Sequence, residues 1–405
     1  AESVTVHADK VKQSGSGKFM ENYYVGYGHA SIADCGSTTI FIEGVSMLVA
    51  KAVQDWPLYS GQETSSRYID MSKQVIVDPI GTSLSRRCLD NWMTFYTDNQ
   101  TAVEKHLRIK YPKRKDEDEA VYDRAIKART FDILRGFLPA GVTTQLSWHT
   151  NLRQCYDKLA LLHHWPLPEV RAVADEVHNL LRERYGHSFS HQTHESQERY
   201  RQYLGAKHTY YLEKKYGRDF SAKTNIKPSE LVRYKDVLSR RPAKTNLPHF
   251  LSQLGFCTFD FLLDFGSFRD IHRHRHGVCR MPLLTTRFGF NQWYLDQLPI
   301  TLAREARTLI REQKTAIVSL KATPELTQYY IAMGFNVACR VAYGLPATVY
   351  VIELRSGKMV HPTLRRVAHQ MDKFLRRKFP LLKLHSDLDP DDWDVRRGKQ
   401  DIREK

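Results

Sequence analysis

The stretch "TFDFLLDFGSFRDIHRHR" (Thr258–Arg275) alternates apolar and polar residues and then changes character. Phe259, Phe261, Leu263 and Phe265 fall on one face of a β-strand, Gly266 breaks the run, and "SFRDIHRHR" reads as a short helix. The same succession occurs near the start of the chain. There "TTIFIEG" (Thr38–Gly44) is a β-branched strand ending at Gly44, and "SMLVAKAVQDW" (Ser46–Trp56) is an almost wholly apolar, hence buried, helix. Each half also closes in helical sequence that begins at a proline. "PLPEVRAVADEVHNLLRERYG" carries Val170, Val173, Val177 and Leu180 at helical spacing, and "HPTLRRVAHQMDKFLRRKFP" carries Leu364, Val367, Met371 and Phe374. The two halves therefore read as diverged copies of one unit, spanning 1–185 and 246–390. A polar, basic segment (186–245) connects them, and a polar tail (391–405) follows.

With 405 residues and 41% hydrophobic content, the chain can bury one large or two medium cores. No run of about 18 apolar residues occurs, so no membrane span is expected. Six scattered cysteines without a C-x-x-C pair suit reduced thiols better than a disulfide framework or a cysteine-based zinc site. The expected location is the cytoplasm or another reducing compartment. The start "AESVTVHADKVKQSGSGKF" has no apolar signal region, and organellar targeting stays open. "GSGKF" within it lacks a full phosphate-loop pattern and reads as a loop entering a helix. A net charge of +16 favours anionic partners: nucleotides, flavin, folate or nucleic acid. Much of the excess sits in runs such as "KYPKRK" (Lys110–Lys115) and "RRKFPLLK" (Arg376–Lys383), where a solvated helix face is the plain alternative.

Two polar clusters carry chemistry. In "DIHRHRHGVCRM" (Asp270–Met281) the five residues His272 to His276 are all basic or imidazole. Metal ligation is disfavoured, because no carboxylate stands at ligand spacing and the interleaved arginines repel a cation. A nucleic-acid face and a pocket for phosphate or carboxylate groups both stay open. In "YSGQETSSRYIDM" (Tyr59–Met71), Ser60, Glu63, Ser65 and Arg67 follow the buried helix. Hydroxyls, backbone donors and an arginine suit a phosphate, with a capped turn and a surface salt bridge as the structural alternative.

The order "GHASIADC … TIFIEGVSMLVAKAVQ … SGQETSSRY" resembles the flavin-dependent thymidylate synthases, whose signature reads R-H-R-x-x-S-x-N-E-x-S-x-R. Ser60, Glu63, Ser65 and Arg67 match the back of it, with Gln62 for its Asn, while Asp55, Trp56 and Pro57 replace its R-H-R. The second half is the reverse: Arg273, His274 and Arg275 match the R-H-R, and Val278, Arg280, Met281 and Leu283 replace the rest. The downstream elements divide too. "ILRGFLP" keeps the family's nucleotide-contacting arginine as Arg135, and Asn151 and Arg153 fit its N-x-R. "IELRSGKMVHP" keeps the pyrimidine-activating arginine as Arg355, where the first half has Leu162. At one point local propensity and family disagree: "ATVYVIEL" (Ala347–Leu354) looks strand-like, and the family places a helix there.

The resemblance implies an α+β fold of two repeats, each a small antiparallel sheet packed with long helices. What one half lost the other kept, so one composite site built from both halves is expected. It would methylate C5 of a uridine nucleotide, dUMP to dTMP, with FAD, methylenetetrahydrofolate and NADPH. Arg355 and Arg273 are its catalytic candidates. Glu63, Ser65, Arg67 and Arg135 would bind substrate. Arg273, His274, Arg275, Ser60, Gln62, Asn151 and Arg153 would bind cofactor. No cysteine nucleophile is implied, and Cys279, the nearest, reads as inert. A homodimer, forming a pseudo-tetramer of repeats, is the implied assembly. The departures at Gln62 and Tyr350 leave room for hydroxymethyl transfer or another uridine nucleotide. Two rivals stand beside this reading: an inactive, basic nucleic-acid-binding or assembly protein, and a flavin-dependent modifier of uridine in a nucleic acid.

Overall fold

The alternating segments do form strands, and each hands over to a buried helix through a hydrogen-bonded cap. A computed structural model describes residues 33–65, 69–189, 192–212 and 219–393, with scattered positions before 33. The "GSGKF" stretch and Arg67 lie outside the described residues. The elements run β1 (Ser37–Ser46), α1 (Met47–Gln54), β2 (Ser60–Glu63), α2 (Ser83–Asp98), α3 (Gln100–Lys110), α4 (Glu119–Leu134), β3 (Thr143–Asn151), α5 (Leu152–Leu162) and α6 (Pro168–Arg184). There follow α7 (Glu195–His208), β4 (Phe220–Thr224), β5 (Phe256–Asp264), α8 (Phe265–Ile271), β6 (Gly277–Cys279), α9 (Ile300–Ser319), β7 (Asn336–Gly344), α10 (Leu345–Arg355) and α11 (Pro362–Lys378). The fold is mixed helix and antiparallel sheet, as the α+β reading expects.

Two compact units divide the chain. One comprises residues 1–64 and 143–209, the other 65–142 and 210–405. This partition differs from the sequence-based division at 185 and 245, because the helices of 65–142 pack with the second unit. The segment 186–245 also does more than connect, since β4 pairs with β5 along Phe220↔Phe261 to Thr224↔Cys257. No helix among the described residues is long and apolar enough to cross a membrane.

In the first unit the sheet order is β1-β3-β2, all antiparallel. The strand does not end at Gly44. Pairing with β3 shifts between Ile42 and Val45, and Gly44 sits at φ +67°, a left-handed conformation suited to the glycine of a bulge. The α1 helix is buried along its whole length, as its almost wholly apolar sequence predicts, and its two polar residues, Lys51 and Gln54, are buried with it. On α6 the buried stripe is Val170, Ala174, Val177 and Leu181; of the expected set, Val173 is half-buried and Leu180 is exposed.

The second unit's sheet runs β4-β5-β7-β6. Gly266 is not a break here: the strand ends at Asp264, which caps α8 by accepting from Ser267 N at 2.8 Å. Gly266 is small for a packing reason, since a Cβ there would lie 3.2 Å from Asp264 Oδ1 and 3.5 Å from Arg135 Nε. The helix stops at Ile271, earlier than expected, and leaves Arg273–Arg275 in the following turn. "ATVYVIEL" is helical, correcting its local propensity: Pro346 starts α10, Thr348 Oγ1 bonds back to Tyr343 O and Gly344 O, and Val349, Val351 and Ile352 are buried. On α11, Leu364, Val367 and Met371 are buried as expected, joined by Ala368 and Leu375 rather than Phe374.

Both units share one contact with its chemistry reversed. In the first, Ser46 caps α1, and Glu169, the second residue of α6, takes Ser46 N at 2.9 Å and Ser46 Oγ at 2.6 Å. In the second, Asp264 caps α8, and Thr363, the second residue of α11, donates to Asp264 Oδ2 at 2.5 Å. Hydroxyl and carboxylate have traded places across the same junction. Ser46→Asp alone should therefore set two carboxylates against each other and cost about 3 kcal/mol. Adding Glu169→Thr should recover stability to within about 1 kcal/mol of the starting protein. Urea unfolding midpoints of the single and double variants check this, and a double variant no better than the single contradicts it.

Candidate functional site

In the second unit, the basic run is organised by groups that lie far from it in sequence. His274 is 9% exposed and edge-on to Tyr350, with ring centroids 5.9 Å apart. Arg355, the last residue of α10, donates from Nε to His274 Nε2 at 2.8 Å and from Nη2 to Asp270 O at 2.8 Å. Its Nη1 makes no hydrogen bond among the described residues. The guanidinium is thus held on two nitrogens with the third available. Arg273 is exposed, its Nε 3.8 Å from Asp270 Oδ1. Arg275 is half-buried. His272 packs on Phe268 at 5.2 Å and His276 is exposed.

Electrostatics follow from this crowding. Burial works to raise the Asp270 carboxyl pKa, but Arg135, Arg273, Arg355 and Arg269 outweigh it and hold the group below its usual range. A quarter of that side chain reaches solvent, which screens the attraction. Burial, then the Arg355 charge, push His274 down to about 3, with Asp270 opposing. The imidazole is therefore neutral at pH 7, as accepting the Arg355 N–H requires. Burial also lowers the pKa of Arg355, with Asp270 opposing and Arg273 reinforcing. Arg355 still remains a cation. Arg135, Arg269, Arg273 and Arg355 all act on the one Asp270 carboxylate, and positive charge gathered in this way suits an anionic ligand.

Behind this surface lies a buried polar network that sequence reasoning did not find. Asp264 accepts from Tyr294 OH at 2.6 Å as well as from Ser267 and Thr363. His361 Nδ1 meets Ser267 Oγ at 3.1 Å and Thr363 Oγ1 at 2.8 Å, and its Nε2 meets Asp132 O at 3.1 Å. Arg135 belongs to this network. It is 5% exposed, donates from Nη2 to Ser267 Oγ at 3.0 Å, and its Nε is buried without a hydrogen-bond partner. Burial works to lower the Arg135 pKa, but Tyr294, Asp132, Asp264 and Asp270 outweigh it and raise it. One signal for the network was legible, namely an Asp directly before an apolar helix.

In the first unit, Ser60 and Gln62 are exposed on β2, and Gln62 N donates to Ser147 Oγ at 3.2 Å. Gly61 lies against β3 so closely that a Cβ would sit 2.0 Å from Ser147 O. Glu63 faces inward at 7% exposure, its Oε2 2.9 Å from Lys51 Nζ and 2.9 Å from Gln54 Nε2. Asn151 caps α5 through Gln154 N at 2.8 Å, and Arg153 forks onto Asp34 at 2.8 and 2.7 Å. Ser65 is half-buried and belongs to the second unit's part of the chain.

Comparison with known proteins bears on both halves. Residues 2–185, a little under half of the chain, match the family described as thymidylate synthase complementing protein. Over 94% of this chain and 82% of its own length, a "UPF0159 protein" of Chlamydia muridarum is 26% identical. One from Chlamydia pneumoniae is 24% identical over 96% and 83%, and one from Thermoplasma acidophilum 21% identical over 96% and 92%. These relatives extend through the second half, which the family match leaves uncovered.

Two outcomes follow from the buried charges. Lys51→Met strands the Glu63 carboxylate in the interior and should cost about 3–5 kcal/mol in urea unfolding. A loss under 1 kcal/mol contradicts that pairing. With a folded pKa of about 3 against 6.5, His274 binds fewer protons folded than unfolded between those values. Its contribution is present above pH 6.5 and fades as pH falls towards 3, by about 2 kcal/mol at pH 5. His274→Gln should flatten the stability profile between pH 7 and 5 by that amount, and an unchanged profile overturns the assignment.

Proposed function

We propose that the chain transfers a one-carbon unit to C5 of a uridine nucleotide, dUMP to dTMP, drawing on methylenetetrahydrofolate, FAD and NADPH. A thymidylate-synthase-related role is what the family match over residues 2–185 supports. The finer reading rests chiefly on Arg355, a guanidinium fixed by His274 and the Asp270 carbonyl with one nitrogen to spare. Such a group, held in place before substrate arrives, can stabilise negative charge on the pyrimidine carbonyl as C5 becomes nucleophilic. It need transfer no proton to do so.

The residues fit the anionic part of a flavin nucleotide: Arg273 is exposed and only loosely paired, and Arg275 stands two residues on. When bound there, the flavin supplies the hydride chemistry that side chains lack. Arg273 and Arg275 hold and orient its phosphates, and His274 keeps Arg355 aimed. Asp270 limits the repulsion among the arginines. Arg135 acts from behind α8, where its charge adds to the field on a bound phosphate. Glu63, Ser65 and Arg67 serve the nucleotide, with Ser60, Gln62, Asn151 and Arg153 on the cofactor side. The exchanged cap contacts support descent of both halves from one unit. The divided signature leaves one complete set of site residues per chain, and a homodimer would then carry four repeats and two such sets.

A second reading, an inactive family member that binds nucleic acid, is favoured by the Glu63 carboxylate being committed to Lys51 and Gln54. Release of tritium from C5-labelled dUMP with all three cofactors present separates the two. The synthase reading predicts release by the wild type and a loss of about 100- to 1,000-fold in Arg355→Ala. Arg355→Lys should restore little, because an ammonium cannot reproduce the two-point grip. No release from the wild type at saturating cofactors overturns the reading.

A further inference from the structure

The α11 helix carries cations on two flanks, and only one is neutralised. On the first, Arg365 donates to Asp387 Oδ1 at 3.3 Å and to the carbonyls of Asp389 and Asp391 at 2.7 and 3.2 Å. Lys358 binds Asp389 at 2.6 Å and Arg129 binds Asp392 at 2.6 Å. An acidic segment of this chain thus already lies along that flank as a bound polyanion does. Its Trp393 stacks on Tyr111 with centroids 4.3 Å apart and planes 4° apart.

The other flank bears Arg366, Lys373 and Arg377, all exposed, none paired with a carboxylate among the described residues. They stand at i, i+7 and i+11, one face of the helix, over about 16 Å. Beside Arg366 and Lys373 opens a cleft of about 450 Å³ whose wall includes Trp293, Pro362 and Pro390, and which Arg365 and Asp392 of the neutralised flank also line. Arg129, paired with Asp392, lies over the Trp293 ring at 5.6 Å. A row of cations without carboxylate partners beside one tryptophan, in a chain of net charge +16, matches a backbone-tracking groove with a single stacking residue. An acidic polypeptide would meet the same charges, and competition by polyglutamate separates it from a nucleic acid.

We propose that this flank of α11, with the Trp293 cleft, binds single-stranded nucleic acid. Phosphates lie along Arg366, Lys373 and Arg377, and a base enters against Trp293. Neither Arg355 nor His274 lines this cleft, so the inference stands whether or not the chain is a synthase.

The test is fluorescence anisotropy of a labelled 20-nucleotide single-stranded RNA with the full chain, from 50 to 200 mM NaCl. Two charge-matched triple variants, each confirmed folded by thermal unfolding, are compared: R366A/K373A/R377A on α11 and R304A/R307A/R311A on the exposed face of α9. The α11 variant should lose at least 10-fold in affinity at 50 mM, and its plot of log affinity against log salt should flatten by about 2. The α9 variant should keep most of the affinity, and Trp293→Ala should weaken binding with an unchanged salt slope. Equal losses in both triple variants would reduce the effect to net charge and overturn the assignment. So would the absence of wild-type binding at 50 mM, or displacement of the RNA by polyglutamate at matched charge concentration.

Discussion

Each unit depends on a capped junction where a strand turns into a buried helix. A helix start that is buried must find acceptors for its free N–H groups inside the protein. Ser46 and Asp264 supply them, and each is in turn bonded to the closing helix of its unit through Glu169 or Thr363. That bond fixes where α6 and α11 sit against their sheets. The arrangement requires one hydroxyl and one carboxylate, and either side of the junction can provide either group. Such a swap keeps the contact while changing the residue at both positions.

The second unit's junction reaches further. Asp264, Tyr294, Ser267, Thr363, His361 and Arg135 form a continuous buried network beneath α8. The end of α8 delivers Asp270, and the turn after it delivers Arg273 and His274. Rigid support of this kind lets closely spaced guanidiniums persist, because repulsion that would unfold a loose loop is borne by packed elements. The same crowding makes His274 a neutral acceptor and leaves Arg355 pinned. An anion that settled among these arginines would relieve repulsion as well as form hydrogen bonds.

Much of this was legible in the sequence, and the failures have physical causes. Period-two alternation located β5, a β-branched run located β1, and proline-started helical spacing located α6 and α11, because burial and local preference agree in those segments. Gly44 and Gly266 both read as strand ends in the sequence, yet one is a bulge and the other a close contact with Asp264 and Arg135. A glycine in sequence does not say which use it serves. "ATVYVIEL" misled because burial and the Pro346 start outweigh β-branched preference. The R-H-R run was recognisable, but the placement of Glu63 against Lys51 and of Arg135 against Ser267 needed the folded chain. Pairings across such separations leave no local pattern.

The central claim is that two half-signatures add up to one set of site residues in each chain. Counting bound nucleotide tests it most directly, by isothermal titration of dUMP into the FAD-supplemented protein. One dUMP per chain is the predicted stoichiometry. Two per chain, or none, would contradict the account.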